Sequence, residues 1–298
     1  MASAWLIEPR DPLMVRDSRP AGAGLPMRSL PFPWPSTIAG LARHRAGLDE
    51  SGCFRLNSDD AEALKRIAVA GPWLVDLSDP NSDAQLYFPA PSDCLWHPTE
   101  TSDQADNSGD PQLERRRLVP QALPADEFTD LNPSLLPLFA ANAPERKPAK
   151  RAPAFWSWPA LKAWLCAPPA LSVLDASFGL QALPREVRTH VAIDPTTGTA
   201  DDGMLFSTES LRFADKERRL ALVFRCDDAR IRAESVHLGG ERRISALRKA
   251  VAANLIPVRP PELAGAGRLL RLVLVTPAIF DGGWGPSQIE GGRLVAAS

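Results

Sequence analysis

Two clusters of arginine and glycine carry the clearest chemical signal in this sequence. In the first, Arg16, Arg19 and Arg28 surround Gly22-Ala23-Gly24, within a proline-rich stretch running from Arg16 to Pro35. Guanidinium groups are flat, permanent cations that match phosphate geometry, and glycines let backbone N–H groups come close to an anion. In the second, Gly239-Gly240-Glu241-Arg242-Arg243 sets two glycines beside two adjacent arginines. That cluster suits a phosphate or a partner's carboxylate. Neither is a nucleotide motif. Gly-Ala-Gly has no following Gly-Lys-Ser/Thr and no third glycine ahead of a helix. Taken alone, the first reads more simply as a turn joining strand to helix, and the second as a turn or bulge with solvated arginines.

The other reactive residue types do not assemble. The histidines are His44, His97, His190 and His237, and none lies within ligand spacing of another His or of a Cys. No metal site follows from such spacing, and no cofactor is expected. His44, between Arg43 and Arg45, could act as a general base on an RNA 2′-hydroxyl, but a surface helix histidine is the simpler reading. His190, on a strand candidate, could stack on a base or merely pack. Asp17, Asp175, Asp194, Asp201 and Asp202 form no recognisable acid–base pair, and there is no Gly-x-Ser-x-Gly. This argues against an enzyme. Cys53, Cys94, Cys166 and Cys226 stand far apart, with no Cys-x-x-Cys, so reduced thiols are expected.

The first cluster needs a scaffold, and the flanking sequence offers one. Trp5-Leu6-Ile7 and Leu13-Met14-Val15 are short apolar runs, and a helix is predicted to begin after the loop with Ser36 as N-cap. Ile38, Leu41, Ala42 and Arg45 share one helical face, and Gly47 is a plausible stop. Strand, basic loop and helix N-terminus together can hold a phosphate backbone, with Ser36 and Thr37 at the helix start. Strand and helix also make the first βα of a ferredoxin-like unit.

From Asp49 to about Leu183 the pattern is irregular and reads as a long insertion. A short helix capped by Ser58 or Asp59 ends at Gly71-Pro72, a strand is predicted at Trp73–Val75, and Leu86–Phe88 is another short apolar piece. His97 to Gln112 has no apolar pattern and is expected to be mobile. Leu135, Leu136, Leu138 and Phe139 could make one helical turn, and Ala143 to Pro153 reads as a linker. Trp156, Trp158, Leu161, Trp164 and Leu165 cluster around a short helix. A second organised region begins near Glu186. A hairpin is predicted from Arg188–Asp194 and Met204–Thr208, then a buried strand at Ala221–Cys226. Arg268–Thr276 is the longest strand candidate and is expected to be central.

With thirty prolines in 298 residues, the chain does not read as a helical bundle. The net charge of −2 is unevenly spread. Asp49 to Asp110 carries 13 acidic side chains against three basic ones, whereas Asp215 to Ala250 carries ten basic against six acidic. Nucleic acid would avoid the first region and tolerate the second. No apolar run approaches bilayer length and the start shows no secretory signal, so a cytoplasmic protein without a membrane partner is expected.

These blocks coincide with a known family. Trp5 to Pro20, the Gly-Ala-Gly, and Ser29 to Gly40 resemble the N-terminus of the RAMP-superfamily proteins that form the third subunit of type III-B CRISPR Cmr effectors. That group caps the 5′ end of the guide RNA. The resemblance continues in Arg188 to Phe213, in His237 to Arg243 and in Thr276 to Pro286. It implies an α+β fold of two ferredoxin-like domains of the RNA-recognition type with long insertions, 1–183 (insertion at about 49–183) and 184–298. It implies no catalysis by this chain. The implied partners are the 5′ handle of CRISPR RNA, the large palm-domain subunit and a backbone RAMP subunit. Matching positions for RNA contact are Arg16, Arg19, Gly22, Gly24, Arg28, Ser36, Thr37, Arg43, His190, Gly239, Gly240, Arg242 and Arg243. Family members run further after the Gly-Gly-Trp block, so the C-terminal domain is expected to be shortened here. Two other readings stay open: a guide-processing endoribonuclease of the same superfamily using His44, and a scaffold touching proteins only.

Overall fold

The buried apolar runs resolve into fourteen strands and three helices in a computed structural model. It describes residues 3–16, 26–54, 58–79, 84–99, 113–124, 126–131, 135–140, 147–168, 171–173, 178–214, 217–250, 255–258, 260, 271–278 and 280. The first half runs β1 (Ala4–Pro9), α1 (Pro35–Ala46), α2 (Ser58–Lys65), β2 (Val69–Asp76), β3 (Gln85–Pro89), β4 (Cys94–Pro98), β5 (Leu113–Pro120) and β6 (Leu138–Ala140). Then come β7 (Phe155–Ser157), α3 (Trp158–Cys166), β8 (Leu171–Val173), β9 (Gly179–Leu180), β10 (Arg185–Ile193) and β11 (Ala200–Leu211). The last are β12 (Leu220–Cys226), β13 (Glu234–His237) and β14 (Ile244–Lys249). The class is α+β, as expected. No helix among the described residues is long and apolar enough to cross a membrane.

Two compact units emerge, one of Met1–Tyr87 with Ala182–Val258, the other of Phe88–Gln181 with Arg259–Ser298. In the first unit an antiparallel sheet runs β13-β14-β1-β12-β2-β3. Strand β1 pairs with β12 (Trp5 opposite Phe224, Ile7 opposite Leu222) and with β14 (Ile7 opposite Leu247). Ile7, Leu222 and Phe224 have no exposed surface. Each such side chain contributes roughly 1.5–3 kcal/mol through burial. Helix α1 turns Ile38, Leu41 and Ala42 inward and packs against β2. Strands β10 and β11 form a separate two-stranded ribbon, with Arg185 opposite Leu211 at its base.

Two expectations change in this unit. Ser36 is not the N-cap: Trp34 holds that position in extended backbone, and Pro35 opens α1. Proline is favoured at a first helical position because its fixed φ fits and its missing N–H would have no partner there anyway. Arg45, on the face of Ile38 and Leu41 by spacing, donates to Glu234 at 2.8 Å. Gly71-Pro72 does not end a helix but lies inside β2, where the register to β12 shifts between Val223 and Arg225. A bulge tolerates both residue types.

In the second unit β5 is the middle strand, pairing with β4, β6 and β8, while α3 follows β7 directly. Leu138 and Phe139 are in β6, not in a helical turn, because backbone pairing with Val119 and Pro120 satisfies them. The aromatic cluster expected around α3 is present: Trp156 and Trp164 are fully buried and meet edge-on. The predicted strand Arg268–Thr276 is not observed. Residues 268–270 lie outside the described residues, and 271–276 form no strand. Leu272 and Leu274 are 64% and 63% exposed. An apolar run expresses a demand for burial, not a pairing partner, and the central strands are β1 and β12. The stretch 100–112, residues 141–146 of the linker and the segment 281–298 also lie outside the described residues.

Candidate RNA-binding surface

Leu13 to Arg16 is the strip on which the basic elements of the first unit converge. Leu13 exchanges backbone hydrogen bonds with Leu211 of β11, both at 2.8 Å. Met14 offers its carbonyl to the Gly240 N–H at 2.7 Å. Val15 receives the Leu30 N–H at 2.7 Å, and Arg16 bridges to Ser29. The Arg16 and Arg28 ends of the glycine loop are thus held side by side. Both arginines are exposed.

The returning side of the loop is fixed by β11. Met27 donates to Ser207 and accepts from Glu209, at 2.8 Å each. Arg185 donates to the Ser29 carbonyl at 3.3 Å and pairs with Glu209, whose Oε1 also accepts the Ser29 N–H. Sequence reasoning missed Arg185 and Glu209, because their role appears only when β10 and β11 are set in register.

The second cluster docks on the same strip. Gly239 has φ +72°, and a Cβ there would lie 2.2 Å from the Met14 carbonyl oxygen. Only glycine fits such an approach. Glu241 and Arg242 follow with φ 57° and 52°, left-handed values that non-glycine residues rarely adopt. His237 Nδ1 lies 2.8 Å from the Arg242 carbonyl, so Nδ1 carries the proton and donates. Arg242 is exposed. Arg243 pairs with Glu241 at 2.9 Å, while its Nε is buried with no hydrogen-bond partner. The exit of the turn is tied down by Asp11, which accepts the Ile244 N–H at 2.9 Å.

The remaining expected residues divide. Ser36 is exposed and Thr37 half-buried on the first turn of α1, and neither side chain caps it. Arg43 donates to the Ile67 carbonyl at 3.3 Å, a contact that anchors α1. His190 is half-buried on the ribbon, stacked on Phe206 with centroids 5.2 Å apart and bonded to Thr208 at 3.0 Å. Arg19, Gly22 and Gly24 lie outside the described residues. His44 stacks flat on Phe54, 5° between planes.

The ribbon has two unlike faces. Val187, Val191 and Leu205 are exposed on one, while the other carries Arg188, His190 and Phe206. At its base, Arg212 and then Arg188 hydrogen-bond Glu186 and hold its carboxyl below the usual carboxylate range. Among the described residues, no group of His, Cys, Asp and Glu could hold a metal ion.

The family model described as CRISPR-associated protein (Cas_Cmr3) matches residues 5–298. Two solved structures are similar, one of the type III-B Cmr-beta bound to cognate target RNA and AMPPnP, the other of the type III-B Cmr-beta bound to cognate target RNA. Each is 18% identical and covers 82% of this chain, with TM-scores of 0.42 and 0.41. This chain spans 62% of the length of the solved chains it matches. No curated protein matches it.

Proposed function

We propose, from the premise that this chain belongs to the Cas_Cmr3 family of CRISPR-associated proteins, that it is a non-catalytic RNA-binding subunit of a type III-B effector. In this reading it holds the 5′ handle of CRISPR RNA and docks the large palm-domain subunit and a backbone RAMP subunit in antiviral defence. The observation that carries the reading is the Gly240 hydrogen bond to Met14. It seats the Gly239–Arg243 turn on Met14, two residues before Arg16, which itself lies opposite Ser29, next to Arg28. Exposed guanidiniums on a rigid backbone frame suit the phosphates of a single strand. The aliphatic ribbon face is a surface that a partner would cover.

The strand order β14-β1-β12-β2, with α1 between the first and second of these in sequence, supports a ferredoxin-like core. The position of its second helix is taken by β13.

The test uses the co-expressed effector with CRISPR RNAs that carry or lack the handle. Wild type should assemble only with the handle. Arg16→Ala and Arg242→Ala should each weaken handle binding about tenfold and lower the salt dependence by about one unit. Assembly indifferent to the handle and to both substitutions overturns the assignment. Precursor RNA cleaved by wild type and spared by His44→Ala would instead make the chain a guide-processing enzyme.

A further inference from the structure

The second unit holds an arginine cluster that the handle site does not use. Strand β5 reads Leu113-Glu114-Arg115-Arg116-Arg117, and its side chains alternate between two faces. Glu114 and Arg116 share one face and pair at 2.7 Å. Arg115 and Arg117 share the other. Arg115 is enclosed by aromatic rings, its Cζ 5.3, 4.9 and 4.8 Å from the Trp156, Trp164 and Phe178 centroids. Arg117 lies opposite Cys94, beside Asp93, whose carbonyl accepts the Leu118 N–H at 2.9 Å.

The Asp93 carboxylate receives Trp164 Nε1 at 2.9 Å and Arg271 Nη1 at 3.1 Å. Arg271 also donates to the Trp164 carbonyl, and its Cζ lies 5.5 Å from the Trp164 ring. Two guanidiniums, Arg117 and Arg271, therefore lie by the Asp93 carboxylate. Aromatic faces and the C-terminal carbonyl of α3 offset part of that charge. Arg117 is half-buried, and its Nε is buried with no hydrogen-bond partner. A buried cationic donor in that condition calls for an anion or an ordered water. Arg271 points the same way: burial lowers its proton affinity, Asp93 opposes that, and Arg117 adds like-charge repulsion.

We infer that Arg117 and Arg271 form an anion site for a phosphate group, with Asp93 and Trp164 holding Arg271 in place. The phosphate can belong to a nucleic-acid strand or to a small molecule. The site stands on the second unit alone and does not depend on the handle reading.

The full 15N-labelled chain is titrated with sodium phosphate, against sodium chloride at matched ionic strength, following the Arg117 Nε–H and Trp164 Nε1–H resonances. Both should shift saturably with phosphate only. Arg117→Gln should weaken the effect about tenfold or more, and Arg117→Lys less. A second measurement serves if the variants fail to fold: phosphate should protect Arg117 of wild type from phenylglyoxal, read by peptide mass. A short single-stranded RNA without terminal phosphate distinguishes the source. Saturation by that RNA assigns a phosphodiester, and saturation by phosphate alone assigns a small molecule. Shifts equal to those in chloride, with no protection of Arg117, overturn the site.

Discussion

A methyl group at Gly239 would meet the Met14 carbonyl oxygen at 2.2 Å, in a backbone with φ +72°. Clash and left-handed strain act together there, so Gly239→Ala should cost about 2–4 kcal/mol in urea unfolding. Handle binding should fall with it, because the turn would lose its seat on Met14. Arg242 behaves differently. Its φ of 52° stores about 1–3 kcal/mol of strain, and glycine there would relieve it while costing about 0.5–1 kcal/mol in backbone entropy. Arg242→Gly should therefore leave stability the same or slightly higher while RNA affinity drops. A parallel loss of both would show that the arginine is structural. The glycine pair was visible in the sequence. The two left-handed residues after it were not, since Glu and Arg give no sign of such a backbone.

At the level of elements, the β10–β11 ribbon carries ion pairs at its base. Arg212 and Arg188 both bind Glu186 and depress its carboxyl below the ordinary 4.5. A depressed carboxylate contributes stability that is present above its unfolded value and lost as pH falls through the folded one. Arg212→Ala should move the Glu186 titration, followed by carboxyl 13C shift, back toward 4.5. An unmoved titration would mean that solvent screens the pair. The ribbon itself was legible, because apolar alternation and a Pro-Thr-Thr-Gly turn fix a hairpin locally. So was α1, apart from its first residue, where proline at the opening position outweighed serine as a cap. The Arg268–Thr276 run misled because hydrophobicity does not say which strand stands beside it.

Across the molecule, charge follows the units less simply than the linear sequence suggests. The acidic stretch Asp49–Asp110 is followed at once by Arg115, Arg116 and Arg117, which lie among aromatic rings and carboxylates of the second unit. That packing also sets the behaviour of Cys94. Burial pushes its thiol up to about 12, against a smaller opposing pull from Arg115. Cys94 should therefore alkylate far more slowly at pH 8 than exposed Cys53. The sign for stability follows: protection is full below the ordinary thiol value of 9.0 and is lost as pH rises toward 12, because only the unfolded chain ionises in that window. Equal alkylation rates at the two cysteines would show that this part of the second unit opens readily.

By itself the sequence determined the α+β class, the strand–loop–helix start, the ribbon, the aromatic cluster and the family, since each rests on residues close together in the chain. Only the tertiary structure decided that Gly240 meets Met14, that Arg185 and Glu209 hold Ser29, and that Arg117 and Arg271 converge near Asp93. Those contacts join residues more than a hundred positions apart, apart from the hairpin pair itself and the step from Asp93 to Arg117. Local propensity carries no record of strand register or of which carbonyl a turn will find.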